Sequence, residues 1–211
     1  MSIQPVSLQD FFRLEYRSGA IRSLLTEERM HLVPTNVWEE LNKKLVQELH
    51  EDAPPTVHLI GYSLGSALVG ELKKNISDPE ALTRHLTDFA AAAGWGVMSM
   101  AGDLRQGGRY LVSVMNCAFC ENVAIGQTPI CTFLASTVEG MADRIYGATH
   151  RVSETRCSAR GEAICQFTVE ASLRGSEPPP GSSPLAISDW ESLYASAIPA
   201  MLLSGSRTTK Y

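Results

Sequence analysis

An α+β protein, with helices packed on an antiparallel sheet, is what this sequence of 211 residues predicts. Three observations carry the expectation. Helical spacing of apolar residues dominates the stretch 36–94, and from Trp95 the period becomes extended. One further helical stretch then separates the first extended run, ending near Asn116, from a second, His150–Glu170. Finally, helices and strands come in runs rather than as repeated βα units, which indicates antiparallel pairing.

Taken in order, Phe12–Val33 reads as extended segments, Leu14-Glu-Tyr-Arg and Arg29-Met-His-Leu-Val, with Ser18-Gly19 as a turn. A helix is expected from Asn36 to His50, capped by Thr35, with Val37, Leu41, Leu45 and Leu49 as its apolar stripe. Asp52-Ala-Pro54-Pro55 is expected to break the chain before a second helix over Val57–Lys74. Small residues on that helix, Gly61, Ser63, Gly65, Ser66, Ala67 and Gly70, would let another element approach its backbone closely. Ser77 with Glu80 forms a capping box for a third helix that ends at Gly94. Trp95–Met100 and Arg109–Asn116 follow as strands around a turn from Gly102 to Gly108. Thr128-Pro129 opens a fourth helix with Ile130, Leu134, Val138, Met141 and Ile145 inward, and Gly147 ends it. The last strands, His150–Glu154 and Ala163–Glu170, turn at Arg160-Gly161, and Ala163, Cys165, Phe167 and Val169 share one face.

The domain expected from this pattern spans residues 1–172, with 1–34 as an extended segment that offers a dimer contact. Residues 173–187 are a Pro/Gly/Ser linker, and 188–211 an amphipathic segment suited to docking or to a protein partner. Hydrophobic content of 44% with 19% charge argues against disorder. A net charge of −5 without a Lys/Arg block excludes a nucleic-acid footprint. No apolar run approaches the roughly 20 residues of a membrane span. The first residues, MSIQPVSLQDFF, lack the pattern of a signal peptide, so a soluble, cytoplasmic protein is expected.

Five cysteines cannot all pair within one chain, and clustered thiols in a reducing compartment are metal ligands or reactive groups more often than bridges. Cys131, at the start of the fourth helix, and Glu154, Cys157 and Cys165, on the final hairpin, are soft and hard donors that a fold can converge on zinc. The bland alternative is a set of buried, unliganded cysteines. Cys117-Ala-Phe-Cys120 leaves three readings open: a redox couple, half of a four-cysteine site with Cys157 and Cys165, or a thiol that attaches a ligand. Gly61-Tyr-Ser63-Leu-Gly65 matches the nucleophile elbow of serine hydrolases, with Asp143 and His150 as nominal triad partners, but the strand–turn–helix context and parallel sheet are not expected.

Several motifs together resemble the 4-vinyl-reductase domain family, also described as hydrocarbon-binding proteins. They are IGYSLGSAL at 60–68, GWG at 94–96, Asn116 with AFCE, PICTF at 129–133, and Glu154-x-x-Cys157 with Gly161 and Cys165. The family includes proteins of bacteriochlorophyll biosynthesis and the sensor domains of phenol-responsive activators, with vesicle-tethering TRAPP subunits as more distant relations. The resemblance implies a TRAPP-subunit-like ligand-binding fold, a homodimer, and a closed structural zinc site on Cys131, Glu154, Cys157 and Cys165. It gives Cys117 and Cys120 no role, so they stay candidate reactive thiols. It also implies a histidine and an aromatic residue that hold a ligand hydroxyl near His85, which is otherwise an ordinary surface or core histidine. Trp95, Tyr110, Phe119 and Phe133 are candidate pocket aromatics, and equally candidates for plain core.

The leading functional expectation is a zinc-stabilised binding module, without catalysis of its own, for a small hydrophobic or aromatic ligand. The photosynthetic branch of the family suggests a tetrapyrrole such as a chlorophyll precursor, with the protein as carrier or as assembly or biosynthesis factor. The alternatives are a vinyl reductase using an external electron donor, since no dinucleotide fingerprint is present, and a tethering or assembly adaptor.

Overall fold

Pro54 and Pro55 do not break the chain; they lie in the first turn of the longest helix among the described residues. Proline suits that place, because the N–H groups of a first helical turn have no intrahelical acceptor. The computed structural model describes residues 7–31, 33–49, 53–102, 109–120 and 131–172. The chain divides into two units, 1–176 and 177–211, and the described residues all belong to the first. The expected linker at 173–187 and amphipathic segment at 188–211 lie outside the described residues, as do Thr128-Pro129 and most of the turn from Gly102 to Gly108.

Strands β1 (Phe12–Glu15), β2 (Ala20–Ser23) and β3 (Arg29–Met30) form a small antiparallel sheet, one strand more than the two extended segments expected. Helices α1 (Thr35–Leu49) and α2 (Ala53–Leu72) follow. The stripe expected to bury α1 is in part uncovered, for Val37 and Leu41 are exposed. Helix α3 (Pro79–Ala92) is capped by Asp78, not Ser77. The Asp78 carboxylate accepts from the Ala81 N–H at 2.7 Å, and Pro79 takes the first helical position. Among the described residues, no helix is long and apolar enough to cross a membrane.

The main sheet contains β4 (Val97–Gly102), β5 (Arg109–Met115), β6 (His150–Arg156) and β7 (Cys165–Ala171), antiparallel in the order β4-β5-β7-β6. Helix α4 (Thr132–Tyr146) packs along α2 and against β6 and β7. Two apolar clusters result. One joins Val112, Val114, Phe167 and Val169 of the sheet to Leu134 and Val138 of α4. The other joins Val69 and Leu72 of α2 and Leu82 and Leu86 of α3 to Met141 and Ile145 of α4. Ala163 is exposed ahead of β7, whereas Cys165, Phe167 and Val169 are buried as the alternation requires.

The small residues of α2 are explained by its crossing with α4. A Cβ at Gly65 would lie 2.0 Å from the Thr137 carbonyl oxygen, and one at Gly140 would lie 2.1 Å from that of Tyr62. The two backbones therefore touch, with no side-chain layer between them. Buried Thr137 and Ser136 satisfy their hydroxyls by donating to the Phe133 carbonyl at 2.7 and 2.9 Å.

Gly65→Ala should therefore cost about 1–3 kcal/mol by overpacking. Exposed Ala67→Ser, two residues away, should stay within about 0.5 kcal/mol of the parent. Urea unfolding followed by circular dichroism measures both, and equal midpoints for the two variants would contradict this account of the crossing.

Candidate metal centre and ligand pocket

Five local structures deliver the cluster. β5 ends at Met115, and Asn116 takes a left-handed backbone with φ of 52°, which asparagine tolerates better than most residues. The chain then enters a 3₁₀ turn, Ala118–Cys120, in which the Cys120 N–H donates to the Cys117 carbonyl at 3.1 Å. The Ala118 N–H donates to the Trp95 carbonyl at 3.1 Å and ties this turn to the start of the sheet. Cys131 is the N-cap of α4 rather than a first-turn residue, and its side chain makes no capping bond. Cys157 caps the turn Ser158–Arg160, and its carbonyl accepts from the Arg160 N–H at 3.0 Å. Cys165 begins β7 opposite Val114. Glu154 stands where the β6–β7 register shifts, a bulge that lets the hairpin turn Cys157 toward Cys165.

All five cysteines are buried and free. The sulfur of Cys120 lies 2.8 Å from that of Cys131, 3.5 Å from Cys165 and 3.7 Å from Cys157. Cys131 lies 3.7 Å from Cys165 and 3.9 Å from Cys157. Ligand atoms of Cys131, Glu154, Cys157 and Cys165 all fall within 4.8 Å of one another, as do those of Cys117, Cys120, Cys131 and Cys165. A tetrahedral zinc bound at 2.3 Å by sulfur separates its ligands by about 3.8 Å, so most of these separations match such a site.

The electrostatics of the cluster favour a cation. The thiols of Cys120 and Cys131 are pushed up, first by hydrogen bonding with Cys117. Burial, then the neighbouring Glu154, pushes Cys157 up. Cys165 is pulled down because Cys117, Cys120, Cys131 and Ser158 direct hydrogen bonds at its sulfur. Hydrogen bonding within the cluster thus favours the thiolate at Cys165 and, with burial, disfavours it at Cys120, Cys131 and Cys157. Oε1 of Glu154 is buried with no hydrogen-bond partner among the described residues, an unfavourable state for a carboxylate oxygen. Soft buried donors and an unpartnered oxygen together fit a bound metal ion. The expected ligands Cys131, Glu154, Cys157 and Cys165 are thus brought together, and Cys117 and Cys120 join them.

Of the expected pocket aromatics, Trp95, Phe119 and Phe133 form a continuous run of rings. Trp95 lies 5.9 Å from Phe119, which lies 5.3 Å from Phe133. Sequence reasoning missed both extensions of this run. Trp38 of α1 lies 4.4 Å from Phe133 at one end, and Phe89 lies 6.1 Å from Trp95 at the other. Tyr110 is placed elsewhere, on β5 opposite Gly102 and Val169. Beyond Phe89, a cavity of about 200 Å³ opens between the N-terminal strands, α2 and α3, with Phe11, Leu25, Met30, Leu68, His85 and Phe89 in its wall. His85 is half-buried with its ring 5.1 Å from that of Phe11, and desolvation lowers its pKa, which favours the neutral imidazole.

The elbow motif does not form. Gly61, Ser63 and Gly65 lie inside α2, not on a strand-to-helix turn. Asp143 does hold His150, accepting from its backbone N–H at 2.7 Å with the ring Nδ1 at 3.0 Å, but the third member is Tyr62. Its hydroxyl donates to the other Asp143 oxygen at 2.9 Å. Burial first, then Asp143, pushes the Tyr62 pKa up to about 12, so this is a fixed donor that fastens α2 to α4 and β6. A second polar link on the same seam, His58 to Glu139 at 3.5 Å, raises the His58 pKa, chiefly through their hydrogen bond.

Residues 111–171, the segment carrying every candidate metal ligand, match the model of the vinyl-4-reductase domain. The resemblance to the 4-vinyl-reductase family is thereby borne out over this segment. An uncharacterised protein of Methanocaldococcus jannaschii is 29% identical over 140 residues, covering 66% of this chain and 69% of its own. Among solved structures, the phenol-responsive sensory domain of the transcription activator PoxR, with phenol, is similar at a TM-score of 0.62. That match has 18% identity and covers 78% of this chain and 86% of the other. A vinyl-4-reductase family protein from Methanocaldococcus jannaschii gives 0.50 at 18% identity, over 68% and 85% of the two chains. These likenesses establish the fold, mixed helices and antiparallel strands, as the sequence predicts.

The His58–Glu139 pair has a signed pH dependence. A histidine whose pKa is raised on folding contributes stability that is fully present below its unfolded pKa and lost as pH rises through the folded value. His58→Gln should therefore destabilise by a few tenths of a kcal/mol, up to about 1, at about pH 5.5 and by less at about pH 8.5. Parallel urea titrations at the two pH values test this, and a larger loss at the alkaline pH would contradict it.

Proposed function

We propose that this protein is a metal-clasped binding module for a small aromatic ligand. The observation that carries the reading is the cavity of about 200 Å³ beside His85 and Phe89, at one end of an aromatic run that leads to the sulfur cluster. An engineered apolar cavity of about 150 Å³ accepts benzene, so the volume suits one substituted ring. Drug-sized ligands occupy pockets of roughly 300–1,000 Å³, so a tetrapyrrole is the poorer fit. The structural neighbour with phenol supports the same class, and the neutral imidazole of His85 offers a hydrogen bond to a ring hydroxyl. Zinc is the metal best suited to the sulfur-rich, tetrahedral spacing, and it would hold the β6–β7 hairpin to the start of α4.

A binder without turnover is the preferred reading over a vinyl reductase. Cys117 and Cys120, the thiols such an enzyme would recruit, are buried at 4% and 6% exposure against the other sulfurs, out of reach of an external donor. Homodimerisation is supported by the uncovered apolar side chains Val37, Leu41, Ile60 and Leu64 on α1 and α2. The adaptor reading rests on 188–211, outside the described residues.

Calorimetric titration with phenol and toluene should detect binding of both. His85→Ala should weaken phenol by about 2- to 10-fold, the worth of one hydrogen bond, and leave toluene nearly unchanged. Equal losses for the two ligands would reject the polar role of His85, and no binding of either would reject the aromatic-ligand reading. For the clasp, one zinc per chain is expected. Stripping it should lower stability by about 4 kcal/mol relative to zinc at roughly a thousandfold excess over Kd, read as the shift in melting temperature.

A further inference from the structure

The donors outnumber what one tetrahedral ion accepts. Five thiols and one carboxylate face four coordination positions. Two sets of four fit the same space, and both contain Cys131 and Cys165. Cys157 belongs with these two on distance, 3.9 Å from Cys131 and likewise within 4.8 Å of Cys165. We propose that Cys120 and Glu154 are interchangeable fourth ligands to a metal held throughout by Cys131, Cys157 and Cys165. The proposal rests on the reading that the cluster binds a metal.

Each contender has its own supporting observation. Cys120 lies 3.5 Å from Cys165 and 3.7 Å from Cys157, near the about 3.8 Å of sulfurs sharing one zinc, and 2.8 Å from Cys131. Glu154 brings an oxygen that is buried and unpartnered among the described residues. The two also arrive from separate elements. Cys120 sits in the 3₁₀ turn after β5, whereas Glu154 sits on β6, an outer strand of the sheet, at its register shift. Cys120 and Glu154 are therefore carried by different segments of the chain. Chemistry separates them too, because thiolate prefers softer ions and carboxylate harder ones. The exchange moves no electrons. One donor replaces another, so the count of four bonds is conserved.

Cobalt(II) and zinc binding to the full chain and to Cys120→Ala, Glu154→Ala and the double variant test this directly. Each single variant should keep one metal per chain, with affinity against a competing chelator reduced by no more than about tenfold, while the double variant should lose more than about 100-fold. In the cobalt forms, sulfur-to-metal charge-transfer absorption should be stronger in Glu154→Ala than in Cys120→Ala, in the proportion of four bound sulfurs to three. Loss of metal from either single variant alone would overturn the proposal, as would identical spectra from the two. If the double variant does not fold, the single-variant spectra decide. Failure of the unsubstituted chain to take up either metal would overturn the underlying metal reading too, and is recognised before any substitution is made.

Discussion

Five sulfurs share one dry position, and this crowding is the constraint on which the vinyl-4-reductase segment depends. Each buried thiol brings a lone-pair-rich atom that the apolar core does not solvate, and each thiolate would bring a charge the core tolerates only if paired. A metal ion would resolve both demands at once. The contributing residues come from the end of β5, the start of α4 and both sides of the β6–β7 hairpin, so resolving the demand also fixes how those elements meet. The sheet supplies spacing and the turns supply aim, since Asn116, the Cys157 turn and the β6 bulge each redirect the chain just before a ligand.

Away from the sulfurs, the architecture relies on a different device, in which α2 and α4 meet backbone to backbone. Tyr62, Asp143, His150, His58 and Glu139 then supply the polar links along that seam. These groups are directed enough to resemble catalytic machinery, yet the contacts they make are structural. Asp143, for example, divides its two oxygens between a tyrosine hydroxyl and the start of β6.

The sequence discloses these features unequally, for physical reasons. That the cysteines gather is legible because metal donors are few in kind, but spacing alone does not choose among them, and Cys117 and Cys120 join the four that the resemblance names. Alternation along β7 is legible because a one-residue slip would turn Cys165, Phe167 and Val169 outward together. Pro54-Pro55 misleads because proline has two opposed meanings, stop and start, and only the hydrogen-bonding state of its turn tells them apart. The cap of α3 is Asp78 rather than Ser77 because neighbouring capping residues compete, and Pro79 at the first helical position settles the register. Trp38 and Phe11 are not assignable to distant rings from sequence, since their partners are set by tertiary packing. The cavity is walled by Phe11, His85 and Phe89 rather than by Trp95, Tyr110, Phe119 or Phe133, because the N-terminal strands that wall it carry only a weak local pattern.

The contact between Gly65 and Gly140 and their facing backbones has a mechanical consequence. With backbones this close there is no intervening layer of side chains to reshuffle, so α2 and α4 move as one beam. One part of that beam carries Leu68 and Leu72 into the cavity wall, and α4 itself begins at Cys131. The cavity wall and the cap of α4 therefore sit on one closely packed pair of helices.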